Sequence, residues 1–187
     1  MSHITLDNDQ PGIRGLFQFR PETAVPLNLL AEVLLRGDST LTRGERELIA
    51  SYVSSLNQCR FCTSSHAAFA AAQLPAGMEL VDQVRADPET APVPAKLKAL
   101  LRIAAAVQRG GREVTPDLVR AARAEDATDL EIHDTVLIAA AFCMFNRYVD
   151  GLGTYAPDDP AAYAAAAERI VASGYVSSTD DAEQPAR

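Results

Sequence analysis

Thr42-Arg-Gly-Glu-Arg-Glu-Leu-Ile-Ala-Ser-Tyr-Val-Ser-Ser-Leu-Asn-Gln-Cys-Arg-Phe-Cys-Thr-Ser-Ser-His66 is the stretch whose reading decides the fold. It opens with Thr42 and Glu45 in the spacing of a capping box, where a threonine oxygen and a glutamate each satisfy a free backbone N–H of a helix start. Leu48, Ile49, Tyr52, Val53 and Leu56 then recur at helical spacing and predict one apolar stripe. Asn57-Gln58 reads as a turn. A second helix is expected from about Cys59 to Gln73, before Pro75 and Gly77. Two consecutive helices joined by so short a turn must run antiparallel.

The rest of the chain repeats this grammar. Pro26 to Gly37 predicts a short helix, and Gly77 to Ala86 another. Pro92 and Pro94 mark a linker before an alanine- and leucine-rich helix over 95–109 that Gly110-Gly111 stops. Thr115-Pro116 places an N-cap before a proline at the first helical position and opens a helix to Ala124. Thr128 and Glu131 form a second capping box, leading a long helix to Gly151. Asp159-Pro160 begins a last helix, to Ser173. The Val/Ile/Thr alternation of a sheet is missing, so the fold class is all-α.

Three segments are expected: an N-terminal arm over 1–25 with little regular structure, a helical domain over 26–174, and a disordered acidic tail over 175–187. Glu47 and Glu131 each stand twelve residues before a cysteine, Cys59 and Cys143, a spacing that two related hairpins would produce.

The 187 residues suit one domain with a sizeable core, and 48% hydrophobic with 22% charged residues is globular composition. A net charge of −8 repels phosphate backbones and anionic lipid, so neither nucleic acid nor a membrane surface is an expected partner. No apolar run reaches the ~18 residues of a bilayer span. The first residues lack the basic start and apolar run of a secretory signal, and the expected location is the cytoplasm. In that reducing compartment a close cysteine pair is redox-active or metal-binding rather than structural.

Cys59 and Cys62 are three apart, on one face of the first helical turn and within reach of a disulfide. His66 lies four beyond Cys62, one turn along the same face, where an imidazole is placed to take a thiol proton. The helix N-terminus favours a negative sulfur. Glu47, on the preceding antiparallel helix, would return beside His66 and orient its ring. Zinc would find three ligands in Cys59, Cys62 and His66 but requires four, and haem attachment needs histidine where Thr63 stands. No cofactor is called for. Cys143, among Ala141, Phe142 and Met144, reads as core; His3 and His133 read as surface residues, and Arg147 and Asp150 as structural.

The pattern Glu47-x11-Cys59-x2-Cys62-x3-His66, preceded by Thr42-Arg-Gly-Glu-Arg-Glu, resembles the AhpD-like branch of the carboxymuconolactone decarboxylase superfamily, which comprises alkylhydroperoxidases and peroxidase-related proteins. Asn146-Arg147-Tyr-Val-Asp150-Gly-Leu-Gly153 is similar to a segment of the peroxidase-related members, and the likeness extends over about residues 20–170. The resemblance implies an AhpD-like helical bundle assembling into trimers or hexamers. It also implies a thiol-dependent peroxidase acting on alkyl hydroperoxides in antioxidant defence. Cys62 would be the peroxidatic cysteine, deprotonated through His66 and Glu47, Cys59 the resolving one, and an external dithiol or thioredoxin-like protein the reductant. Phe61 stands where the best-known alkylhydroperoxidases have histidine. The alternatives are a general disulfide oxidoreductase, a lactone decarboxylase-type lyase that does not rely on a cysteine pair, and a non-catalytic helical oligomer.

Overall fold

A computed structural model describes residues 2–176; the expected tail, from residue 177 onward, lies outside the described residues. Among these residues there are nine α-helices and no strand: α1 (Ile13–Phe19), α2 (Pro21–Arg36), α3 (Arg43–Leu56), α4 (Arg60–Ala71), α5 (Gly77–Ala86), α6 (Ala95–Arg109), α7 (Pro116–Ala124), α8 (Asp129–Gly151) and α9 (Pro160–Ser173). None is long and apolar enough to cross a membrane. The all-α expectation holds, and from α5 onward the helix limits coincide with those read from capping residues and prolines.

Helix α3 is the axis of the bundle, packing on α4, α8, α6, α2 and α5. Its capping box forms as expected: Glu45 N–H donates to Thr42 Oγ1, and Thr42 N–H donates to Glu45 Oε2 at 2.8 Å. The single apolar stripe becomes near-complete burial, because neighbours cover the helix on most sides. Leu48, Ile49, Ala50 and Val53 are wholly inaccessible, and so are the hydroxyl residues Ser51 and Ser54. Such a position tolerates polar groups only when they are paired. Ser54 Oγ accepts from Asn146 Nδ2 at 3.1 Å, and Ser51 Oγ donates to the Thr63 carbonyl at 3.4 Å. Truncating Leu48 or Ile49 to alanine would cost about 2–5 kcal/mol.

The α3–α4 turn is where the sequence reading put it, and its conformation is special. Gln58 adopts a left-handed φ of 61°. The Asn57 amide ties the turn to two other helices, donating to Asn146 Oδ1 on α8 at 2.8 Å and accepting from Gln108 Nε2 on α6 at 3.0 Å. Side chains of three helices thereby fix where α4 begins.

The N-terminal segment departs from the expected irregular arm. Residues 13–19 are helical, and α2 starts at Pro21, not Pro26. Either proline fits the first helical position, where its missing N–H costs nothing. Helix α2 presents Leu27, Leu30, Ala31, Leu34 and Leu35 to the core, and its extra first turn is tolerated because Pro26 removes only one hydrogen bond inside the helix. Gly12, with φ 55°, forms the N-cap of α1. The arm is strapped to the loop after α8: His3 N–H donates to the Leu152 carbonyl, Gly12 N–H to that of Tyr155, and the Tyr155 hydroxyl to that of Asp9.

The echo between Glu47-x11-Cys59 and Glu131-x11-Cys143 is not a repeated hairpin. Cys59 follows the end of α3, whereas Cys143 lies inside the unbroken α8. Glu131 is itself the third residue of its helix and closes the capping box with Thr128, the role that Glu45 rather than Glu47 plays in α3.

Candidate functional site

Helices α3 and α4 bring Glu47 and His66 into contact. The His66 ring nitrogen Nδ1 lies 2.7 Å from Glu47 Oε2. The Glu47 side chain is 1% exposed and that of His66 12%, so the pair sits away from bulk water. Edges and faces of aromatic rings hold the imidazole: Phe142 at 4.5 Å and Phe69 at 5.1 Å between ring centroids, both near-perpendicular, and Tyr175 stacked at 6.4 Å. An imidazole so enclosed has little freedom to rotate away from its carboxylate.

Tyr175 completes the arrangement, and the sequence reading assigned it to the tail. Its hydroxyl donates to Glu47 Oε1 at 2.7 Å. Burial and the adjacent Glu47 push the phenol well above its ordinary value, so it stays protonated and remains a donor. The segment is pinned from α2: Glu32 Oε2 accepts from the Tyr175 N–H at 2.7 Å, and Arg36 donates to the carbonyls of Ile170 and Val171. Gly174 makes this return possible. It has φ 78°, and a Cβ there would lie 2.5 Å from Glu32 Oε2.

Both cysteines are free and buried, Cys59 at 0% and Cys62 at 4% exposure. Cys59 is the N-cap of α4 and Cys62 lies in its first turn, among the unpaired N–H groups of the helix start. The neighbouring Cys62 thiol, burial and the nearby Asp150 carboxylate push the Cys59 thiol far above the usual cysteine range. Asp150, read as structural, thus acts on the pair; one turn earlier Arg147 donates to the Cys143 carbonyl. Cys143 is half-buried against the core and 3.5 Å from Asn57 Nδ2, on a different side from the pair.

Cys62 and His66 line one small cavity of about 60 Å³, walled by Ile13, Phe17, Phe142 and Phe145. Phe61 lines it too and is held from outside by the arm: a Cβ on Gly12 would fall 2.2 Å from the Phe61 ring. Cys59 is not among the lining residues, so the two sulfurs differ in access. His133 is exposed beside Asp134, as expected of a surface residue, and His3 bonds the Gly151 carbonyl. Among the described residues no three His, Cys, Asp or Glu side chains converge as metal ligands would.

Residues 21–78 match the Carboxymuconolactone decarboxylase family. No curated protein matches the chain. Among solved structures, the chain is similar to an uncharacterized peroxidase-related protein from Ralstonia eutropha JMP134, described as an alkylhydroperoxidase AhpD core, at 27% identity and a TM-score of 0.74. That likeness covers 82% of this chain and 79% of the other. An uncharacterized peroxidase-related protein from Silicibacter sp. TM1040 is similar at 26% identity and a TM-score of 0.73, covering 82% and 78%.

Proposed function

We propose that this chain, which belongs to the AhpD-like branch of the carboxymuconolactone decarboxylase superfamily, is a thiol-dependent peroxidase in which Cys62 attacks hydroperoxides and Cys59 resolves the product. The observation that carries the reading is the Glu47–His66 contact at 2.7 Å in the wall of the cavity that Cys62 lines. With Nδ1–H donating to the carboxylate, Nε2 is the free nitrogen and accepts the Cys62 proton. The thiolate is then favoured by the imidazolium, by the start of α4 and by the Cys59 S–H.

Cys62 thiolate attacks the distal oxygen of ROOH, the O–O bond breaks, and RO⁻ leaves as ROH with the proton held by His66. The Cys62 sulfenic acid and the Cys59 thiol condense to a disulfide and release water. An external dithiol supplies two electrons and two protons, restores both thiols and becomes a disulfide itself. The burial of both sulfurs favours a low-molecular-weight peroxide over a protein disulfide as the oxidant, which weighs against a general disulfide oxidoreductase.

Exposed Val25, Leu29 and Val33 on α2, and Leu130, Leu137 and Met144 on α8, supply apolar stripes for a homo-oligomer, a trimer or hexamer in this reading. The test is dithiol-dependent peroxide consumption. Wild type is expected to turn over, Cys62→Ser to be inactive, and His66→Ala to lose about 100-fold or more, the range typical of a lost general base. Cys62→Ser that consumes peroxide as fast as wild type would remove the reading.

A further inference from the structure

A second cavity, of about 420 Å³, adjoins the Cys62 cavity and shares Ile13, Phe17, Asn28, Phe61, His66 and Tyr175 with it. It is the natural vestibule to the sulfur, and its volume falls in the range of small-molecule sites. Phe17, Phe61, Phe69 and Ile170 make its walls largely apolar. Its charge runs against that of the molecule. In a chain of net charge −8 no acidic side chain lines the vestibule, while Arg14 and Arg169 both do. Neither guanidinium has a hydrogen-bond or ion-pair partner among the described residues, unlike Arg36, Arg60, Arg102, Arg120 and Arg123. Asn28, at the neck between the two cavities, also has a side-chain amide without a partner among the described residues.

Resting on the peroxidase reading, we propose that the vestibule selects amphipathic hydroperoxides with a carboxylate remote from the peroxide: Arg14 and Arg169 bind the carboxylate, the aromatic walls hold the apolar body, and Asn28 donates to the peroxide oxygens beside Cys62. Guanidinium is the side chain best matched to a carboxylate. Because both arginines are exposed, their contribution is moderate and weakens with salt. A purely apolar peroxide would leave both cations unused, and a small one such as hydrogen peroxide would leave the walls unused as well.

Two measurements test this and keep it separate from the reading beneath it. The first uses Cys62→Ser, which cannot turn over, and titrates a medium-chain hydroxy acid and its methyl ester by calorimetry. The acid is expected to bind about tenfold tighter at low salt, with the advantage shrinking as salt rises. The double variant Arg14→Gln/Arg169→Gln in that background should bring the two affinities together, and the comparison within each protein cancels any loss of folded material. Equal binding of acid and ester, or a preference that survives the double variant, overturns the proposal. The second compares kcat/KM for the corresponding hydroperoxy acid and hydroperoxy ester in the Cys62-containing protein, where the same preference and its loss are expected. Acid-selective binding without any dithiol-dependent turnover would overturn the peroxidase reading while leaving the vestibule's charge preference in place.

Discussion

The Tyr175 hydroxyl donates to Glu47 Oε1 at 2.7 Å, on the oxygen that His66 leaves unused, across a separation of 128 residues. The carboxylate is thereby held by two donors in a place where an unpaired oxygen would be costly. In the proposed reaction Tyr175 would act through Glu47, as a positioning residue. Tyr175→Phe is expected to slow Cys62 oxidation about tenfold, as befits one lost hydrogen bond to a charged group. Stopped-flow oxidation of Cys62 reads the change, and an unaltered rate would mean that the ring only packs.

The two thiols should react very differently with an alkylating agent. The Cys62 thiol, burial and Asp150 push the Cys59 thiol far above its usual range, and it lies outside the cavity that Cys62 lines. Iodoacetamide at neutral pH is expected to label Cys62 first, with Cys59 following only at distinctly alkaline pH. Replacing Cys62 by alanine removes the largest influence and should bring Cys59 labelling to lower pH. Asp150→Asn should do the same to a smaller extent. Mass spectrometry of the two peptides decides the matter, and equal labelling rates in the wild type would contradict the assigned roles.

Gly12 is the next point of leverage, since its φ of 55° and its approach to Phe61 both exclude a side chain. Gly12→Ala places a methyl group where the ring now stands and forces the arm off the vestibule. A loss of about 1–3 kcal/mol is expected from the strained backbone, before any repacking of the ring. The peroxide KM should change with it, because Phe61 lines both cavities. Urea unfolding together with steady-state kinetics would check this; a variant with wild-type midpoint and KM would show that the arm does not close the site.

How much of this was legible follows from where each residue stands. Glu47, Cys59, Cys62 and His66 lie within twenty consecutive residues, on two helices and the three-residue connection between them, so helical periodicity and a capping box were enough to bring them together. Tyr175 comes from beyond the last helix, Asp150 from the end of α8, and Arg14, Asn28 and Arg169 from three further helices. No local spacing relates these residues to the cysteines. What places Tyr175 is a set of long-range bonds from Glu32 and Arg36 together with a glycine at φ 78°, and each of those reads locally as an ordinary helix residue or a stop. The N-terminal helices were hidden by Gly12, Gly15, Pro21 and Pro26, which look like breakers in sequence. In the fold they are a positive-φ cap, a close contact with the Gln10 carbonyl, a first helical position and one tolerated interruption.

Outside the site, the buried Glu131 sets an expectation for acid stability. Burial opposes its ionisation, but Lys96 Nζ at 2.7 Å, the Thr128 N–H at 2.7 Å and the Thr40 hydroxyl at 2.8 Å outweigh that penalty and hold the carboxyl at about 2, against an ordinary 4.5. A carboxyl whose value is lower in the folded than in the unfolded chain contributes stability that is complete above pH 4.5. That stability is lost as the pH falls toward 2, because the unfolded chain takes up the proton first. Glu131→Gln removes this contribution and leaves the Lys96 ammonium without its partner, so the variant should be less stable at neutral pH. Its unfolding free energy should also fall less steeply than that of the wild type between pH 4.5 and 2. Urea titrations at a series of pH values, read as the difference between the two proteins, test the claim. Parallel curves over that range would mean that Glu131 is no more ionised in the folded chain than in the unfolded one.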